Sequence, residues 1–130
     1  MNILMHCVYF PPEVGGLESH VRYLCRSLVG RGHQVNVVTS LSQPGLPQHQ
    51  MIDGISVWRT WIPGRNTFGW ATYAVCSTPK LVALGQEADV LHAQDIASVL
   101  PCIIAKRRRK TPIVTTYHTS HFLKRAKSLF

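Results

Sequence analysis

The sequence has no Cys-x-x-Cys pair, and its four cysteines (Cys7, Cys25, Cys76, Cys102) are scattered without regular spacing. That disfavours a zinc site or a disulfide framework and favours reduced, mostly buried thiols in a cytoplasmic protein. No apolar run approaches the roughly 20 residues of a membrane-crossing helix. No basic segment or cleavage site precedes Pro11-Pro12, so the N-terminal apolar run reads as a strand and not as a signal peptide. Gly-Lys-Ser/Thr is missing, which excludes a P-loop, and no Gly-x-Gly-x-x-Gly follows a strand, which disfavours a nicotinamide-binding domain. A Gly-x-Ser-x-Gly elbow is missing as well. Acid is scarce, with six Asp/Glu against 14 Lys/Arg, and none occurs after Asp95.

What is present is a chain of 130 residues with 45% hydrophobic content, enough for one packed domain. Residues 1–95 balance six basic and six acidic side chains, so the net charge of +8 belongs entirely to residues 96–130. The basic run Lys106, Arg107, Arg108, Arg109 and Lys110 has the character of a patch for anionic lipid or a phosphorylated acceptor. It equally suits a solvated helix end, where cations are favoured.

Along the chain, Ile3 to Val8 reads as a buried strand, followed by Tyr9-Phe10-Pro11-Pro12-Glu13-Val14-Gly15-Gly16 and then by a helix. A strand feeding a helix through a glycine turn presents unpaired backbone N–H groups and the positive end of a dipole, which suits a phosphate. Val21, Leu24, Cys25 and Leu28 repeat at i, i+3, i+4, i+7 and form the helix's apolar stripe. Glu18 lies in the first turn, four residues before Arg22, and Gly32 is placed to stop the helix. Val35, Val37 and Val38 mark a second strand, and Asp53-Gly54 is a hairpin turn before a third at Ile55 to Arg59. Between Thr67 and Gln86 periodicity is weak, and Thr78-Pro79 reads as a cap, so two short helices or one kinked helix are expected. A short strand at Asp89 to His92 precedes a helix capped by Asp95 or Ser98, with Pro101 in its first turn or at a kink. Ile113 to Tyr117 is the last strand. The order β-α-β-β-α-β-α-β predicts an α/β fold, a Rossmann-like open parallel sheet with helices on both faces. Its ligand belongs at the C-terminal ends of the strands, where strand order switches.

Four motifs in order carry a resemblance: Phe-Pro-Pro-x-x-Gly-Gly-x-Glu-x-His, Arg31-Gly32-His33-Gln34-Val35, Asp89 to Gln94, and Pro112 to Thr119. Together they resemble the N-terminal domain of the family-4 retaining glycosyltransferases, two-domain (GT-B) enzymes that include the phosphatidylinositol mannosyltransferases. The resemblance implies transfer of a sugar from a nucleotide diphosphate sugar to a hydroxyl acceptor, which is a sugar, a lipid-linked group or a small molecule. It implies no metal and no cofactor beyond the donor substrate. It places Gly15 and Gly16 against the donor's diphosphate and His118 near the anomeric centre as the catalytic candidate. Tyr9, His92, Asp95 and Thr119 then line the donor/acceptor cleft, although Asp95 serves equally as a helix cap. The resemblance also implies that residues 1–130 are one incomplete acceptor-side domain whose donor-side partner domain is absent. A cytoplasmic location follows, with peripheral contact to an anionic membrane; nucleic acid is not an expected partner. The competing expectation is a non-catalytic module that holds a polyanion or anionic lipid with the basic last third.

Overall fold

The computed structural model describes residues 1–12, 16–108 and 110–116, with Leu17, Arg107 and Arg108 described for their backbone alone. The elements run β1 (Asn2–His6), α1 (Gly16–Gly30), β2 (Gln34–Leu41), β3 (His49–Ile52), β4 (Ile55–Trp61), α2 (Thr67–Gly85), β5 (Val90–Ala93), α3 (Ile96–Arg108) and β6 (Ile113–Thr115). One six-stranded sheet has the order β3-β4-β2-β1-β5-β6. Strand order reverses at β1, which lies between β2 and β5 and pairs with both in parallel.

The alternation of β1 divides the core into two layers. Ile3 and Met5 point to one face and pack with Val21 and Cys25 of α1 and with Val35, Val37, Ile55 and Val57. Leu4 points to the other, where Val38, Leu91 and Ala93 meet Leu81 of α2 and Cys102 and Ala105 of α3. Helices therefore cover both faces, as the pattern of elements requires for a mostly parallel sheet. Each fully buried Val or Leu contributes about 1.5–3 kcal/mol to this sandwich.

Two expectations change at the level of elements. The open, mainly parallel sheet stands as expected and gains one strand, because β3 joins its edge antiparallel to β4. The cause is local: Asp53 (φ 52°) and Gly54 (φ 80°) both adopt the left-handed region, the signature of a two-residue type I′ turn that must reverse the chain. The β3–β4 hairpin also redirects Arg22, which pairs with Asp53 at 3.1 Å, the partner it takes in place of the Glu18 suggested by spacing. The second change concerns Thr78-Pro79, which lies inside one continuous α2. Asn66 is the cap instead, its Oδ1 accepting the Gly69 N–H at 2.7 Å. Thr78 Oγ1 donates to the Ala74 carbonyl within the helix at 2.6 Å. Pro101 likewise sits in the second turn of α3 and not its first.

Gly32 ends α1 as its position suggested. At φ 87° it donates to the Val29 carbonyl at 3.0 Å while His33 donates to Leu28 at 3.1 Å, the paired bonds of a Schellman closure.

Gly54→Ala is expected to cost about 1–2 kcal/mol, the left-handed penalty for an L side chain. The new methyl would also sit 3.0 Å from Val29 Cγ1 of α1. The urea midpoint reads the loss, and an unchanged midpoint would contradict the turn type.

Candidate functional site

Beyond β1, where the strand order switches, the backbone keeps two bonds to β2, from the Cys7 N–H to the Val38 carbonyl and from the Ser40 N–H to the Val8 carbonyl, both at 3.1 Å, and side chains from α2, β2, β4 and the β5–α3 loop add to them. Tyr73 Oη of α2 donates to the Cys7 carbonyl at 2.8 Å. Asp95 Oδ2, after β5, accepts the Val8 N–H at 3.0 Å. Thr39 Oγ1 donates to the Val8 carbonyl at 3.1 Å, and Ser40 Oγ donates to the same oxygen. Arg59 of β4 donates through a terminal nitrogen to the Pro11 carbonyl at 3.2 Å. The Pro11–Pro12 peptide is cis. The segment that introduces the glycine turn is thus held from outside, which is how a loop carrying binding groups is kept in one geometry.

Behind this segment runs a buried polar relay whose proton order follows from chemistry. Asp95 Oδ1 accepts only, so the Ser98 hydroxyl, 2.6 Å away, spends its proton there. Ser98 Oγ must then accept from His6 Nδ1–H at 2.7 Å. His6 Nε2 is left as the acceptor for the Ser77 hydroxyl at 2.7 Å. His6 is therefore neutral, with its proton on Nδ1, and burial pushes its pKa down to about 3. Tyr73 stacks on the imidazole with centroids 5.1 Å apart. Burial also pushes the Cys25 and Cys102 thiols up to about 12, and the Cys7 thiol well above its usual value. These three cysteines are free, buried and protonated, hence poor nucleophiles.

A second wall rises from the start of α2. Trp70 Nε1 donates to Tyr9 Oη at 3.1 Å, and the Arg65 guanidinium lies 4.7 Å from the Tyr9 ring centroid. Phe68 and Trp61 stand largely exposed on the same stretch of chain. Aromatic faces beside a cation offer stacking and charge together.

The sequence-derived candidates distribute unevenly over this site. Gly16 opens α1, and a Cβ there would meet nothing within 4 Å. Tyr9 belongs to the aromatic wall. His92 lies within β5, its Nε2 2.7 Å from Thr116 Oγ1, and links that strand to the end of β6. Asp95 directly precedes α3, its Oδ1 accepting the Ser98 hydroxyl and its main-chain carbonyl the Ser98 N–H, and its Oδ2 ties the β5–α3 loop to Val8. Lys106 and Lys110 are exposed, away from the turn in sequence and in element. Gly15, Arg109, His118 and Thr119 lie outside the described residues, as do the side chains of Arg107 and Arg108 and the predicted strand end Tyr117.

Sequence reasoning missed His6, Arg59, Tyr73 and Ser77, and took Ser98 only as a helix cap. Two of them carried a readable signal. His6 interrupts an otherwise apolar buried strand, and Arg59 continues the inward alternation Ile55, Val57, Arg59, which puts a cation on the core face. Tyr73 and Ser77 fall on the buried stripe Gly69, Tyr73, Ser77, Leu81, Gly85, whose small and polar members hid its period.

Comparison with known proteins agrees with this architecture. The family model described as Glycosyltransferase Family 4 matches residues 14–130. A phosphatidyl-myo-inositol mannosyltransferase of Mycolicibacterium smegmatis is 32% identical over 123 residues, covering 92% of this chain and 31% of that protein. A phosphatidylinositol N-acetylglucosaminyltransferase subunit of Saccharomyces cerevisiae is 24% identical over 99 residues, covering 75% of this chain and 22% of its own length. The chain thus spans less than a third of these curated relatives. Among solved structures, a sucrose-phosphate synthase from Thermosynechococcus elongatus superposes with a TM-score of 0.79 at 16% identity, over 96% of this chain and 35% of that one.

Proposed function

Because the chain belongs to glycosyltransferase family 4, we propose that it forms the acceptor-side wall of an enzyme that moves a sugar from a nucleotide diphosphate sugar to a hydroxyl acceptor, with retention. The observation that supports this reading is the externally clamped segment Cys7 to Pro11, which follows β1 at the switch point of the sheet and precedes the glycine turn in sequence. In this role Gly15 and Gly16 let the diphosphate approach the backbone, whose N–H groups stabilise charge on the departing phosphate. His118 stands at the anomeric centre as a neutral hydrogen-bonding group. Tyr9, with Arg65 and Trp70 behind it, faces the acceptor, and Asp95 holds the floor between the two.

The acceptor class that the curated relatives suggest is a lipid-linked hydroxyl, since their names specify phosphatidylinositol. No described helix is long and apolar enough to cross a membrane. In this reading a lipid acceptor is met at the bilayer surface, on its cytoplasmic face.

Titrating nucleotide diphosphate sugars into the isotopically labelled chain tests the reading. Weak, saturable shifts are expected at Val8, Tyr9, Gly16, Ser40 and the residues from Ala93 to Asp95. Shifts confined to Lys106–Lys110, and equally produced by heparin or acidic vesicles, would support instead the polyanion-binding module.

A further inference from the structure

Arg59 is the one described arginine that is almost fully buried, at 6% exposure, and no described carboxylate pairs with it. One terminal nitrogen donates to the Pro47 carbonyl at 3.2 Å and to Gln50 Oε1 at 3.0 Å, and the other to the Pro11 carbonyl at 3.2 Å. All three acceptors are uncharged. Among the described residues the ion pairs are those of Arg22 and Arg26 with Asp53, so no described carboxylate stands against Arg59. Burial lowers the pKa of the group from its usual value, but a guanidinium remains protonated at neutral pH. A buried charge without a counter-charge costs several kcal/mol, and proteins retain one where something else supplies the opposite sign.

Position says where that charge would be met. Arg59 pairs with Thr39 across β4 and β2, near the C-terminal ends of both strands. It lies on the sheet face covered by α1, following Ile55 and Val57. It grips the β1–α1 connection at Pro11, the β2–β3 loop at Pro47 and the edge strand at Gln50, and three of its five N–H groups are used in doing so. Two remain, one of them on the terminal nitrogen that bonds the Pro11 carbonyl.

We propose that Arg59 is a positioning residue whose charge has no described counter-charge: it holds the start of the β1–α1 connection at Pro11 and draws a diphosphate-like oxyanion to that end of the sheet, which supplies the opposite sign. The inference deepens the donor-site reading given above and rests on it for the identity of the anion as a diphosphate. It does not need the nucleotide or the sugar.

The probe is inorganic pyrophosphate, titrated into the 130-residue chain at low salt by calorimetry and followed by thermal melting. Saturable binding and a rise in Tm are expected for the wild type. Arg59→Gln is expected to weaken pyrophosphate at least about tenfold, the range of a hydrogen bond to a charged group. Lys80→Gln, an equal change of charge on the opposite sheet face over Trp58, is expected to leave the affinity unaltered. A purely structural arginine would change stability without this difference in affinity. Equal effects of the two substitutions, or no saturable binding by the wild type, overturn the proposal. Should Arg59→Gln not melt cooperatively, Arg59→Lys keeps the charge with fewer clamp bonds and is expected to be less stable yet to bind pyrophosphate within about threefold of wild type. Loss of binding in folded Arg59→Lys would overturn it. Pyrophosphate binding through Arg59 with no response to any nucleotide sugar would instead retain the site and remove the donor assignment.

Discussion

Taking the chain from pH 7 to pH 5 is expected to remove on the order of 2 kcal/mol of folding stability through His6 alone. The folded imidazole is neutral down to about pH 3, whereas in the unfolded chain it takes its proton at the ordinary 6.5. Between those values the unfolded state binds more protons, so stability is complete above pH 6.5 and falls as the pH drops towards 3. The cause is desolvation, since the ring is buried and water cannot solvate its charged form. Protonation would place a cation among the buried Tyr73, Cys7 and Ser98. Against a typical total of about 5–15 kcal/mol this is a large fraction. Urea midpoints at pH 7 and pH 5 measure it. In His6→Gln the residual slope should shrink to that of the remaining groups, although the variant starts less stable; an unchanged slope would show that His6 is not the titrating group.

Gly69→Ala is expected to cost about 2–3 kcal/mol and to lower Tm by about 10 °C. Any Cβ at this position in the first turn of α2 would collide with the Gly64 carbonyl, and that contact is with backbone, which cannot rotate away. The Gly69 N–H also makes the Asn66 cap, so the helix start cannot retreat without losing it. Residues 64–70 carry Arg65 and Trp70, the two side chains set against Tyr9, so the damage extends to the aromatic wall. Melting of the variant gives the stability term, and quenching or shift of Trp70 fluorescence reports the wall. A variant with wild-type Tm would mean that the 64–69 turn differs from the one described.

How far the fold could be read from sequence depended on how local its causes are. The Schellman stop at Gly32, the stripe of α1 and the strands β1, β2, β4 and β5 rest on neighbours three or four residues away, or on β-branched runs, and they stand within a residue or two of expectation. The antiparallel β3 was half visible: the Asp53-Gly54 signal named the turn, but His49–Ile52 is too polar to announce itself as a strand, and only pairing with β4 makes it one. Thr78-Pro79 misled for the opposite reason. Its local chemistry favours a helix start, but burial of Tyr73, Ser77 and Leu81 along one face outweighs a single lost N–H.

The candidate site was legible as a place and not as a mechanism of support. Glycines between a strand and a helix, and polar residues after β5 and β6, identify the rim because strand polarity alone sends those loops to one end of a parallel sheet. Which side chains hold the rim is another matter. His6 meets Ser98 across 92 positions of sequence and Ser77 across 71, and Arg59 reaches Pro11 across 48. The sequence by itself determined the α/β class, the crossover units and the glycine turn ahead of α1, since hydrophobic period, turn residues and helix caps act over a few residues. Only the tertiary structure decided that a neutral histidine relay and a buried arginine hold the segment from Cys7 to Pro11 ahead of that turn, because hydrogen bonds between distant segments exist only once the sheet has brought β1, β4, α2 and α3 together.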